Sequence, residues 1–98
     1  MKRVEVHEAA LREAKSAYRW YAAKSEQAAR GFDAELYRTF QTIGEHPERF
    51  STYMVGTRYL RLHRFPYLVV YLDESVRVHV IAVAHAKRRP RYWSRRIR

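Results

Sequence analysis

The spacing of hydrophobic positions changes twice along this chain. Residues 2–6, KRVEV, alternate weakly and predict a short first strand. From Glu8 the interval becomes three and four: Ala10, Ala14, Ala17, Tyr18, Tyr21 and Ala22 share one stripe. Alanine-rich composition with Leu11, Glu13 and Lys15 supports a helix over about 8–24. Ser25 is a good N-cap for a second helix, whose stripe of Ala29, Phe32, Leu36, Phe40 and Ile43 supplies larger side chains to the core. The sequence GEHP, Gly44 to Pro47, closes that helix, because a residue before proline is pushed away from helical angles.

Residues 47–57 read as a loop, after which the interval becomes two. Arg58–Arg64 alternates, with Leu60 and Leu62 on one side and Tyr59, Arg61 and His63 on the other. Tyr67–Leu72, YLVVYL, is apolar on both faces, as a central strand would be. Asp73-Glu74-Ser75 predicts a turn. Val76–Ala84 alternates again, with Val76, Val78, Val80 and Ala82 facing one way and Arg77, His79, Ile81 and Val83 the other. The order is β-α-α-β-β-β. A helical hairpin buries one apolar stripe and a meander offers one apolar face, so the expected fold is a two-layer α+β domain. With no linker or repeat, residues 1–98 form one domain.

Charge changes this picture more than composition does. Residues 1–56 hold nine Lys or Arg against eight Asp or Glu; residues 57–98 hold eleven against two. The formal charge of +10 therefore lies almost wholly in the C-terminal half. A domain that used charge only for solubility would mix the signs, so a polyanionic or acidic partner is expected. There is no cysteine, which fits a reducing compartment. The N-terminus has no apolar signal segment, and YLVVYL and VIAVA are far shorter than the roughly 20 residues of a spanning helix. The expectation is a soluble cytoplasmic protein that does not engage membranes. No histidine spacing suits a metal, and no cofactor motif is present.

From Arg61 to Trp93 the sequence RLHRFPYLVVYLDESVRVHVIAVAHAKRRPRYW resembles the RelE/ParE superfamily of bacterial toxins. The features that carry it are an RFPY-apolar-VVY strand, an acidic hairpin, an apolar-AVAH strand and a closing R-x-P-x-YW. The helical hairpin with Trp20-Tyr21 and the HPERF segment, His46–Phe50, add to it. The resemblance implies a toxin of a type II toxin–antitoxin system, neutralised by a cognate acidic antitoxin. ParE-like members inhibit DNA gyrase and are not nucleases. RelE-like members cut mRNA on the ribosome with a basic cluster. Carried across residue by residue, that cluster falls on Tyr59, Arg61, Leu68, Ala86 with Arg88 nearby, and Tyr92. His63 and His85 could stand in for histidines of other family nucleases, without a positional match.

Cleavage by a 2′-hydroxyl needs a base, an acid for the leaving oxygen and cations at the phosphate, and losing one positioned cation costs on the order of 10²–10³ in rate. Leu68 and Tyr59 are neutral where that cluster is cationic, so the gyrase-directed reading leads. On the RelE-like alternative, Arg61, Arg88 and Tyr92 would be catalytic. A third reading is a non-toxic nucleic-acid-binding module. Under any of them the contact surface is expected to draw on Tyr59, His63, Arg64, His85, Lys87, Arg89, Arg91, Arg95 and Arg96, with Trp20 on the first helix. Arg77 and His79 read as solvent-face residues. Trp93 reads as an anchor that packs the basic tail onto the sheet.

Overall fold

In the computed structural model, which describes residues 1–97, the chain runs β1 (Arg3–Val6), α1 (Glu8–Lys24), α2 (Glu26–Glu45), β2 (Ser51–Thr52), β3 (Arg58–Arg61), β4 (Tyr67–Asp73) and β5 (Arg77–His85). Ser25 alone joins the helices. Its extended backbone sends its N–H to the Tyr21 carbonyl (2.8 Å), ending α1, while its Oγ accepts the Ala28 N–H (3.2 Å), starting α2. One residue thus caps both helices and forces the reversal. None of the helices is long and apolar enough to cross a membrane.

The sheet order is β1-β5-β4-β3-β2, with β1 parallel to β5 and every other pair antiparallel. The expected α+β fold is present, with a fifth strand of two residues, Ser51–Thr52, inside the segment read as loop. Gly44 does not end α2 but lies within it. A Cβ there would sit 3.0 Å from Val4 Cγ2 and 3.1 Å from the Lys2 carbonyl oxygen, so glycine lets β1 cross the helix closely.

The helix-side core gathers Phe32, Leu36, Ile43, Val69, Tyr71 and Val80. A bulge then breaks the alternation read for β5. Val70 pairs with Ala82 but Tyr71 pairs with Val80, leaving Ile81 unopposed. Ile81 and Ala82 both join a second cluster on the opposite face, whereas Val83 returns to the helix side. Val76, expected to face the core, lies in the turn before β5 and is 71% exposed. β3 stops at Arg61, so His63 belongs to the following loop and not to a continuing strand face.

The second cluster is where the basic tail attaches. Trp93, 1% exposed, packs with Val70, Ile81, Ala82 and Ala84, and Tyr59, Leu68, Tyr92 and Ile97 pack around them. Its neighbour Tyr53 (ring centroids 5.9 Å apart) is set by a tight turn in which Val55 takes left-handed angles, φ 58° and ψ 37°. For a β-branched residue that costs about 1–3 kcal/mol.

Candidate functional site

The candidate residues divide between two carboxylates, one on each helix. Glu13 lies on α1 between the buried Ala10 and Ala17. Beyond Val6, β1 no longer covers the edge of β5, and Glu13 reaches that edge. Its Oε1 accepts the Val83 N–H (3.0 Å) and an Arg96 N–H (3.0 Å). Its Oε2 accepts the Tyr92 hydroxyl (2.6 Å) and the second Arg96 Nη (3.1 Å), with Arg88 Nη1 at 3.7 Å. Arg96 also donates to the Ile81 carbonyl (3.0 Å). A carboxylate has about four acceptor positions, and these donors fill them.

Tyr92 is thereby fixed on three sides. Arg88 lies 3.8 Å over its ring and Arg96 5.2 Å away, while its hydroxyl is held by Glu13. Burial, followed by the hydrogen bond to Glu13 and the charge of that group, pushes its phenol well above the usual tyrosine range. The same interactions hold Arg96 inward and draw the exposed Arg88 against the Tyr92 ring. The tail is therefore pinned by a buried tryptophan and by an ion cluster, in which two of its cations share the single charge of Glu13. Lys87, Arg89, Arg91 and Arg95 are exposed and form no ion pair among the described residues.

His85, at the end of β5, accepts the Lys87 N–H through Nδ1 (3.1 Å) and meets Tyr67 edge-to-face at 5.1 Å. Pro66, Tyr67, Trp20, Glu13 and Arg88 line a cleft of about 430 Å³ beside it. Trp20 is 56% exposed, with the Lys24 ammonium 4.7 Å over its ring, while Tyr21 turns into the core against Phe32 and Phe65. Of that aromatic pair, Trp20 is the one available to a partner.

Glu35 governs the other group. It is 5% exposed on α2, and its carboxylate accepts the backbone N–H of His63 and, at 3.4 Å, that of Arg64. Arg64 Nε lies 3.5 Å from the same carboxylate, and its guanidinium sits over the Phe65 ring at 5.3 Å. Arg61, His63 and Arg64 line a second cleft of about 430 Å³ with Arg38 of α2. Arg61 is therefore grouped with Arg64 and not with the Arg88–Tyr92 cluster. Arg38 was missed in the sequence, where it reads as an ordinary solvent residue of α2.

Tyr59 and Leu68, the neutral positions of the cluster implied by the resemblance, are half-buried in the hydrophobic patch around Trp93. Arg77, read as a solvent-face residue, bridges Glu5 (2.5 Å) and Glu74 (2.5 Å), and with Arg3 it holds the Glu5 carboxyl below its ordinary range. His79 approaches His7 at 5.9 Å, and burial together with Arg77 lowers its pKa. Among the described residues no group of three or more His, Cys, Asp or Glu could hold a metal ion.

The family model described as the ParE toxin of type II toxin–antitoxin systems, parDE, matches residues 4–90. A solved structure described as the chromosomal ParDE TA system from P. aeruginosa is similar in fold. It aligns with a TM-score of 0.78 at 12% identity, covering 89% of this chain and 98% of that one. Among curated proteins no relative matches.

Proposed function

The chain belongs to the ParE toxin family of type II toxin–antitoxin systems, and on that premise we propose that it arrests growth by binding DNA gyrase in the cytoplasm, without enzymatic activity, until a cognate acidic antitoxin covers it. The observation that carries this reading is the state of the sheet face where the RelE-like cluster would lie. That face is filled by Trp93, flanked by Tyr59 and Leu68, and the polar groups beside it are tied to Glu13. A Tyr92 phenol that donates to a carboxylate and ionises only at high pH is poorly placed to act as a general base near neutrality. Two neutral positions, and an arginine held by its own acid, leave little to stabilise a pentavalent phosphate. What remains available is binding chemistry: exposed arginines and an exposed tryptophan on a rigid frame.

The test is induction without antitoxin. Gyrase supercoiling should be inhibited, or cleavage complexes trapped, while primer extension on cellular mRNA finds no in-frame cuts. Arg61→Ala and Tyr92→Phe should each leave toxin-dependent RNA cleavage at background. Cuts that vanish in both variants would establish the ribosome-dependent nuclease. Salt-sensitive nucleic-acid binding with no growth arrest would point to the non-toxic binding module.

A further inference from the structure

The cleft between α2 and the β3–β4 loop has a composition that the tail does not. Its floor is apolar, formed by Phe50 and Leu60, and its rim carries Arg38, Arg61 and Arg64. The one acid lining it, Glu35, is buried and already engaged by two backbone N–H groups and by Arg64. Unlike Glu13, it closes no ring around the other arginines. Arg38 and Arg61 are exposed and form no ion pair among the described residues. Three cations against one saturated carboxylate leave the rim with a net positive field, over a pocket large enough for a side chain.

We infer that this cleft is a docking site for an acidic protein segment, with one apolar side chain seated on Phe50 and Leu60 and flanking carboxylates paired to Arg38, Arg61 and Arg64. Charge complementarity selects the occupant. A second copy of this chain, at +10, would bring like charge to the rim. A nucleic-acid backbone would match the arginines but leave the apolar floor uncovered, whereas an acidic peptide with a leucine-like anchor satisfies both. The site is also rigid before binding. Glu35 fixes the loop backbone at His63 and Arg64, and Arg64 rests across Gly31, where an added Cβ would lie 3.3 Å from its Nη2. Little ordering is then lost on association. The inference stands apart from the identity of the toxin's target, because it concerns binding by the purified chain.

The experiment is fluorescence anisotropy with the full chain and a labelled synthetic peptide alternating Glu and Leu. The reference probes are an all-Glu peptide and a single-stranded RNA of similar charge. The Glu-Leu peptide should bind more tightly than either. Arg38→Glu should weaken it about tenfold or more, the scale of a reversed charge at an interface, and Arg38→Gln by less. Arg95→Glu, on the tail, should change it less than about twofold if the cleft and not the general field is read. Circular dichroism establishes that each variant is folded, and Arg38 is an exposed helix residue whose replacement disturbs no buried contact. Equal binding of the all-Glu peptide, equal loss in Arg95→Glu, no loss in Arg38→Glu, or tighter binding of RNA that Arg38→Glu abolishes would each overturn the proposal.

Discussion

Glu13 and Glu35 are the same residue type, one on each helix, and both reach across to backbone N–H groups of the sheet side. They leave opposite surfaces. Glu13 gathers Arg88, Arg96 and Tyr92 into one ion knot over the edge of β5, its single charge shared between two arginines. Glu35 is occupied mainly by the backbone of the β3–β4 loop, takes only the Nε of Arg64, and leaves a cationic rim in solvent. The lesson concerns available charge. A run of arginines in a sequence reports potential, but the position of the nearest unsaturated carboxylate decides how much of it a partner meets. By that measure Arg96 is structural and Arg88 and Arg64 are partly engaged, and Arg38, Arg61, Lys87, Arg89, Arg91 and Arg95 carry most of the outward field.

If packing rather than the ion knot holds the tail, the sharpest break comes at Trp93. Trp93→Ala removes the largest buried side chain of the second cluster and should cost about 3–5 kcal/mol. Denaturant unfolding should register that loss, and limited proteolysis should then cut in residues 86–97. A cost below that of Glu13→Ala would mean the knot is the primary anchor. The next effect should be Glu35→Ala, which strands two backbone donors that its buried carboxylate satisfies and frees the exposed Arg64, and should cost about 2–4 kcal/mol. Glu35→Gln keeps an oxygen acceptor and should recover part of it. Glu13→Ala is expected to cost less, about 1–3 kcal/mol, because it strands one backbone donor, that of Val83, where Glu35→Ala strands two, and the exposed Arg88 can turn to water. That variant should also raise the surface charge available to polyanions, visible as tighter heparin retention. If Glu13→Ala proves costlier than Glu35→Ala, the contrast between the two carboxylates fails.

Much of the fold was legible because the local signals agreed with one another. Ser25 carried the cap chemistry, the stripes of both helices had the right interval, and YLVVYL had the two-sided apolarity of a central strand. The bulge at Ile81 was invisible, since apolar residues continue on both sides of it and alternation looks unbroken. β2 is too short to leave a pattern. Trp93 was readable as an anchor, but the two carboxylates that organise the site were not, because their partners lie 28 to 83 residues away. A signal did exist. Glu13 falls three residues after Ala10 and four before Ala17, and Glu35 falls three after Phe32 and four before Thr39, so each acid occupies a position on a buried stripe. An acid in such a place needs donors from elsewhere in the fold.

The smallest expected effect separates the two sides of the sheet by alkaline titration. Tyr71, on the helix side, is fully buried and donates its hydroxyl to the Pro47 carbonyl (2.6 Å), and burial pushes its phenol up to about 12. Tyr92, on the tail side, is also raised, by burial and then by Glu13. A phenol whose pKa is higher in the folded state binds its proton more tightly there than in the unfolded chain. Its stabilising contribution is therefore complete below about pH 10, the ordinary tyrosine value, and is lost as pH rises through the folded value. Unfolding free energy should decline between about pH 10 and 12, by about 1–2 kcal/mol for a buried phenol such as Tyr71. Absorbance at a tyrosinate wavelength should show late-ionising phenols that appear together with unfolding. Tyr92→Phe should flatten the decline on the tail side while leaving the contribution of Tyr71 intact. If the decline is unchanged in that variant, the Tyr92–Glu13 hydrogen bond does not persist in solution, and the closed knot that distinguishes the tail from the α2 cleft is lost with it.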